Sequence, residues 1–245
     1  MSLPSDKPLQ KLQFYVTTGY SCGYLPNKLA QSLIASPQHL IDANIYSGLI
    51  QQGFRRSGKF AYRPHCENCR ECIPVRVILD QFIPNRSQKR AFKQHHNLDV
   101  SIMPIAFHEE HYALYARYQH ARHKDESIAE NSVEKIVQEG EDQYRNFLCQ
   151  TNVESVLVEF RGQNQLKMVS VIDIVRNGIS AVYTFYDTSD PKASLGTYNV
   201  LWQIEWAKSL EMAYLYLGYW IKNSQKMAYK QNFNPLEKLV DGEWN

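Results

Sequence analysis

The sequence predicts an α+β fold, a mixed sheet flanked by helices with a smaller N-terminal part, and three observations carry that reading. Three runs rich in β-branched and aromatic residues, VESVLVEFRG, QLKMVSVIDIVRNG and ISAVYTFYDT, follow one another as strands. Next comes a helix-period segment, SLGTYNVLWQIEWAKSLEM, with Val200, Leu201, Ile204, Ala207, Leu210 and Glu211 tracing its turns. A fourth run, AYLYLGYWI, follows directly and can return beside the third strand only through that crossover helix.

Each element has its own warrant. Up to about residue 103 the chain is punctuated by turn signals (TTGYSCGYLPN, GFRRSGK, RPHCENC, FIPNRSQ), so residues 1–103 read as an N-terminal domain with a cysteine-rich basic loop. Within it PQHLIDANIYSGLIQQG spaces Leu40, Ala43 or Asn44, Ile45, Leu49 and Ile50 as a short helix closed by Gly53, and PVRVILDQF reads as a strand. Residues 104–245 open on a helix with Phe107, His111, Leu114, Tyr115 and Tyr118 on one side. Asn177-Gly178 predicts a tight primed turn, which requires positive φ, between the second and third strands.

Composition sets limits on function. With 245 residues, 44% of them apolar, the chain buries a full core as one large domain or two modest ones. MSLPSDKPLQKLQ has no apolar signal region, and MAYLYLGYWI is far short of the roughly 20 residues that span a bilayer, so a soluble, unexported protein is expected. Five cysteines, an odd count with four in the first third, favour thiols or metal ligation in a reducing cytosol over a disulfide framework. The net charge of +2 hides a local imbalance: residues 55–96 hold ten Lys and Arg against three Asp and Glu. That density suits phosphate groups, and equally a solvated basic face.

Cys66, Cys69 and Cys72 form C-x2-C-x2-C, with Cys22 of SCGYLP as a fourth thiol at a distance. The set fits zinc or an iron-sulfur cluster, or else small buried hydrophobes under a tight loop. Cys149 reads as core. In HEEH, His108 and His111 are three apart rather than four, so zinc-protease geometry is absent and both read as helical surface histidines. The absence of G-x-S-x-G, of a Walker loop and of a strand-borne G-x-G-x-x-G counts against serine hydrolases, nucleotide triphosphatases and dinucleotide enzymes. Along AVYTFYD, alternation puts Tyr183, Phe185 and Asp187 on one face and Val182, Thr184 and Tyr186 on the other. One face packs in the core and the other lines a cleft, unless the tyrosines are ordinary interior aromatics. TSDPKASLGTYN then brings hydroxyls and amides to a helix N-terminus, a seat for an anion. Lys222, Lys226 and Lys230 make a basic stripe if their segment is helical.

Six motifs, CGYLP, IYSGLIQQGFRRSGKFAYRPHCENCRECIPVRV, FIPNRSQKR, VYTFYD, SLGTYNVLWQIEWA and YLYLGYWIKNSQKMAYKQNFNP, run in order from about residue 14 to the C-terminus. Together they resemble the aminoacyl-tRNA protein transferases, specifically the compact bacterial leucyl branch. The resemblance implies transfer of leucine from leucyl-tRNA to the free α-amine of proteins beginning with Asp or Glu, marking them for degradation. It implies leucyl-tRNA and such acceptors as partners, no membrane, and a catalytic half similar to the GNAT acyltransferase fold. Eukaryotic arginyl relatives carry a second cysteine where this chain has Leu25, so their proposed metal or cluster site does not carry over intact. No cofactor is then required for transfer, and zinc or an iron-sulfur cluster at Cys22, Cys66, Cys69 and Cys72 remains the cofactor candidate.

That chemistry asks for placement more than for a strong base. An aminoacyl ester is already activated, and an α-amine with a pKa of about 7.7–8.0 is partly neutral near pH 7. Backbone amides near the third strand are expected to hold the oxyanion. Asp187 or Glu205 is expected to orient the ammonium or accept its proton, with Tyr183 beside them, although both carboxylates could equally be ion-pair partners. Arg55, Arg56, Lys59 and Arg76 are the candidates to grip an acceptor carboxylate. Arg86, Lys89, Arg90 and Lys93, with Lys222, Lys226 and Lys230, suit tRNA phosphates. Phe185, Leu195, Gly196, Tyr198 and Tyr219 are expected to form the leucyl pocket. Two rivals explain less. An acetyl-CoA-dependent enzyme of the GNAT fold would carry Q/R-x-x-G-x-G/A after a strand, and a zinc-bearing RNA-binding module leaves the aromatic strand and SLGTYN helix unused.

Overall fold

The computed structural model describes residues 11–122 and 140–245; the reading of the first ten residues as free of a leader lies outside them. Strand β1 (Gln13–Val16), the short pair β2 (Tyr20–Ser21) and β3 (Leu29–Ala30), and β4 (Ser32–Ser36) precede helix α1 (Ala43–Gln51). Asp42 caps α1, its Oδ1 accepting from the Ile45 amide at 2.8 Å. Hairpin strands β5 (Arg55–Ser57) and β6 (Phe60–Pro64) complete a four-stranded antiparallel sheet ordered β1-β4-β6-β5.

The larger sheet has eight strands: β7 (Ile73–Ile78), β8 (Asp99–Pro104), β9 (Ser155–Gly162), β10 (Gln165–Val175), β11 (Gly178–Tyr186), β12 (Tyr214–Trp220), β13 (Leu236–Val240) and β14 (Glu243–Trp244). Their order is β14-β13-β7-β12-β11-β10-β9-β8. Helices α2 (Arg86–Gln94), α3 (Glu109–Arg122), α4 (Leu195–Ser209) and the short α5 (Gln225–Ala228) complete the fold. β11 and β12 run parallel, and α4 is the crossover between them, as the strand order required.

Both faces of the large sheet are covered, which is why its strands read as nearly unbroken apolar runs. Along β10, Met168 and Ile172 pack with Phe160, Ile179, Leu201 and Ile204 in a core that includes α4. Val169 and Val171 face the other way, with Leu114 and Tyr115 of α3, and Val175 on that same face meets Tyr46 and Leu49 of α1. Each fully buried side chain of this size contributes about 1.5–3 kcal/mol.

Several expectations change. β7 precedes residue 104 and β8 runs across the expected boundary, yet β7 lies between β12 and β13, and β8 forms the sheet edge beside β9. The two parts of the chain therefore build one sheet. The hairpin at Asn177-Gly178 forms, with Val175 paired to Gly178, but neither residue has positive φ. Glycine is needed there because a Cβ would collide with the Tyr214 carbonyl of β12. Among the described residues, successive positive φ angles occur instead in the turns Gln163-Asn164 (51° and 62°), joining β9 to β10, and Asp241-Gly242 (52° and 87°), joining β13 to β14. His111, expected at the surface, is fully buried, its Nε2 2.5 Å from Glu159 Oε1 on β9. Burial lowers its pKa, against the raising effect of Glu159.

Candidate functional site

β11 and β12 pair only over Gly178–Ser180 and Tyr214–Tyr216, and then diverge. Each carries an extra residue at that point: the β10 register skips Val182, and the β7 register skips Leu217, beside Gly218 at φ 78°. A bulge bends its strand and raises its twist, so two facing bulges open a gap in the sheet. The guanidinium of Arg55, delivered by β5, sits in it. Nη2 donates to the carbonyls of Ala181 at 2.5 Å and Val182 at 3.1 Å, whereas Nη1 is buried without a hydrogen-bond partner among the described residues. A Cβ at position 218 would lie 2.7 Å from Nη1, so glycine keeps the notch open for this side chain. The adjoining concavity, lined by Phe54, Arg55, Val75 and Gly218 among others, is shallow and open to solvent.

Lys230 approaches the same gap from the turn that follows α5. It is buried, and its Nζ donates to the Tyr219 carbonyl of β12 at 2.6 Å. Burial, then the charge of Arg55, lowers its pKa to about 7, against a raising effect of Cys72. Neither Arg55 nor Lys230 has a carboxylate partner among the described residues. The basic stripe expected at Lys222, Lys226 and Lys230 is thus broken: the chain turns before Gln225, α5 is four residues long, and Lys230 points inward while Lys222 and Lys226 are exposed.

The outer wall is aromatic. Tyr186, the last residue of β11, meets Tyr118 of α3 edge-on at 5.0 Å between centroids. Arg122 lies 5.7 Å from both ring centres and donates to the Tyr186 hydroxyl. The same hydroxyl would be 3.4 Å from a Cβ at Gly196, in the first turn of α4. Ser194 begins that helix at φ 55° with no side-chain cap, so its first amides remain available to an acceptor. Tyr229 is within electrostatic range of Tyr186, Arg55 and Arg122. Tyr118, Arg122, Tyr186 and Tyr229 are not among the expected site residues, although alternation along AVYTFYD puts Tyr186 on a face that could line a cleft; a further signal is Gly218 inside an otherwise unbroken strand pattern, which marks a bulge.

The expected site residues fall into separate places. Asp187 follows Tyr186, with Oδ1 accepting from the Ser189 amide at 3.0 Å and Oδ2 3.3 Å from Lys167 Nζ. Burial pushes its pKa up, but Ser189 and Lys167 outweigh that and hold it below the ordinary carboxylate value. Glu205 is exposed on α4, 3.7 Å from Lys208, and is not brought together with Asp187. Tyr183 packs on Phe147 and Tyr115, and its hydroxyl accepts from Gln119 Nε2 at 3.2 Å. The expected leucyl pocket is split by the sheet: Phe185 is sealed among Tyr115 and Tyr144 on one face, whereas Leu195 and Tyr198 pack on the other. Tyr219 Oη donates to the Gly53 carbonyl at 3.0 Å, and Gly196 borders Tyr186.

The arginines divide as sharply. Arg56 is buried, its Nε 2.9 Å from Asp173 Oδ2 and its Nη2 2.6 Å from Oδ1, so its fork is occupied within the protein. Arg76 is bound to Glu237 at 2.6 Å and Gln51 at 2.9 Å, and lies over the Tyr214 ring at 3.6 Å. Neither is available to a ligand, which corrects their assignment to acceptor binding. Lys59 is exposed in the β5–β6 turn. Arg86, Lys89, Arg90 and Lys93 are all exposed on α2, whose Gln88 and Ala91 are buried.

Burial, followed by Cys66, Cys22, Cys69 and Glu71, pushes the Cys72 thiol up to about 12. Yet among the described residues no group of three or more His, Cys, Asp or Glu is arranged to hold a metal ion, and Cys66 Sγ instead faces the Gln31 carbonyl at 3.8 Å. The cysteines do not fit the metal site the sequence suggested. Arg70, donating to the Cys66 and Cys69 carbonyls, closes their loop.

Comparison with known proteins gives the class first. Residues 20–90 match the family described as arginine-tRNA-protein transferase, N terminus, and residues 110–240 the one described as arginine-tRNA-protein transferase, C terminus. The chain belongs to the arginine-tRNA-protein transferase family. It is 65% identical over 244 residues, 100% of this chain and 95% of the relative, to the aspartate/glutamate leucyltransferase of Methylobacillus flagellatus. Identity is 51% to that of Nitrosospira multiformis (100% and 94% of the two chains) and 52% to that of Thiobacillus denitrificans (98% and 97%). A solved structure, that of L-PGS from Bacillus licheniformis, aligns with 62% of this chain and 48% of its own at a TM-score of 0.44 and 12% identity, too loose a likeness to argue from.

Proposed function

We propose that this chain is an aminoacyltransferase that moves leucine from leucyl-tRNA to the α-amine of proteins beginning with Asp or Glu, a cytoplasmic step that marks them for degradation. Full-length likeness to relatives named aspartate/glutamate leucyltransferase supports the reaction. One observation supports the acceptor site: Arg55 stands in the gap between β11 and β12 with Nη1 buried and unpartnered. A guanidinium so placed matches an incoming carboxylate.

In the reaction, the neutral amine nitrogen attacks the ester carbonyl, a tetrahedral oxyanion forms, and the terminal ribose oxygen leaves as the amide bond closes. One proton is released from the ammonium before attack, and a second passes from the nitrogen to the departing ribose oxygen, which leaves as a hydroxyl. The uncapped first turn of α4 is suited to the oxyanion, beside Tyr186. Asp187, held ionised by Ser189 and Lys167, acts as a fixed negative charge that orients the ammonium and not as a base tuned to neutral pH. The exposed cations of α2, with Lys222 and Lys226, serve tRNA phosphates. The tRNA end seats on the aromatic outer wall, where Tyr118, Tyr186 and Arg122 offer stacking surfaces.

The large sheet, an antiparallel run leading into a parallel pair crossed by α4, is consistent with a GNAT-like catalytic part at residues 104–245, completed by β7 of the N-terminal part, residues 1–103, and by β8 across the boundary. Labelled leucyl-tRNA mixed with peptides starting in Asp, Glu or Asn tests the function. Label is expected on the first two; none on either, or acetylation from acetyl-CoA instead, overturns it.

A further inference from the structure

Lys230 has a sequence position that suggests the surface and a structural position that does not. Its ammonium is drawn inside, anchored on the Tyr219 carbonyl of β12, in electrostatic range of Arg55 on β5 and Cys72 ahead of β7. Two cations are thus held against one gap in a sheet with no carboxylate partner for either among the described residues. Burying like charges together is costly unless an anion joins them. The anchors differ in a useful way. Arg55 is fixed by two carbonyls and by the Gly218 notch, whereas Lys230 Nζ is held by one carbonyl and the Met227 sulfur at 3.2 Å, at the end of a four-carbon stem whose torsions can re-aim it.

We infer that Lys230 is the second arm of an acidic-side-chain pocket: with Arg55 it clasps the carboxylate of the acceptor's first residue. The flexible ammonium follows the methylene by which Glu exceeds Asp, so one fixed and one adjustable cation accept both residues and reject their amides. This deepens the acceptor reading and rests on it. A phosphate of the tRNA end is the other anion of suitable chemistry, but the cation that would meet it is the buried Lys230, while exposed lysines and arginines line α2.

The test combines binding and transfer. Without tRNA, the affinity of the intact protein for a peptide starting in Asp, and for its Asn counterpart, is measured by calorimetry for the wild type, Lys230→Met and Lys230→Arg. Transfer from leucyl-tRNA is then followed with the same peptides. Lys230→Met should weaken the Asp peptide about ten- to a hundredfold, chiefly through KM, lower the Asp-over-Asn preference, and leave leucyl-tRNA affinity unchanged. Lys230→Arg, which keeps the charge, should restore part of the preference and guards against a folding artefact. Equal loss for Asp and Asn peptides, unchanged Asp binding, or a selective loss of tRNA affinity overturns the inference. Lysine-dependent binding of the Asp peptide without any transfer by the wild type leaves the pocket standing and sinks the proposed reaction.

Discussion

Neighbouring arginines on β5 have opposite tasks, and their substitution should separate cleanly. Arg56 and Asp173 are buried to 2% and 0% exposure at their side chains, so Arg56→Ala strands a carboxylate in the core. The expected loss is about 3–5 kcal/mol of folding stability, read by urea denaturation. Arg55→Met should instead leave the fold intact and abolish use of acidic acceptors. Gly218→Ala should reproduce that phenotype, because its Cβ would fall 2.7 Å from Arg55 Nη1 and its φ is 78°. Lys230 allows a test of sign. Its folded pKa of about 7 lies below the ordinary 10.5, so protonation opposes folding in full below pH 7 and the opposition fades as pH rises toward 10.5. Lys230→Met should therefore raise Tm more at pH 6 than at pH 9.5. The pair RR in GFRRSGK was legible as carboxylate-seeking, but alternation along a strand decides which arginine meets the gap and which the core, and a three-residue strand gives no pattern from which to choose the face.

Among the elements, α2 follows its sequence closely. Asn85 and Gln88 form a reciprocal capping box, Gln88 and Ala91 face inward, and the four cations fall on the remaining surface. If they neutralise phosphates, each removed charge should lower the slope of log affinity against log salt by about 0.9 for a duplex contact. Leucyl-tRNA binding by Arg86→Gln and Lys89→Gln variants across a salt series checks this, and an unchanged slope would show that α2 faces away from the nucleic acid. The lysines after β12 illustrate the opposite case. Their i, i+4 spacing has meaning only on a continuous helix, and tertiary contacts replace that helix with a turn, four helical residues and a 3-10 segment. The leucyl pocket failed for a similar reason. Phe185, Leu195 and Tyr198 are close in sequence, yet a strand and the helix after it present side chains to opposite sides of the sheet.

At the scale of the whole molecule, the change from turn-rich to strand-rich sequence near residue 103 is visible, and the N- and C-terminal family models fall on either side of it. What local pattern does not encode is that β7, an apolar run suited to any buried strand, inserts between β12 and β13. Val75 and Val77 of β7 are 1% and 0% exposed, and they pack with Leu215 and Leu217 of β12 in the main core. A fragment of residues 104–245 would lack that strand. It would expose the ladder of β12 as a long apolar edge, a template for aggregation, and would leave Tyr219 without the Gly53 carbonyl that holds it. It would also lack Arg55, so the gap beside Gly218 would have no fixed cation. We therefore expect residues 104–245 to be insoluble when produced alone, and residues 1–103 produced in the same cell to rescue both solubility and leucyl transfer. A soluble, monomeric 104–245 with native circular dichroism would show that β7 is dispensable to the sheet, and rescue of solubility without transfer would place the defect in the Arg55 contact alone.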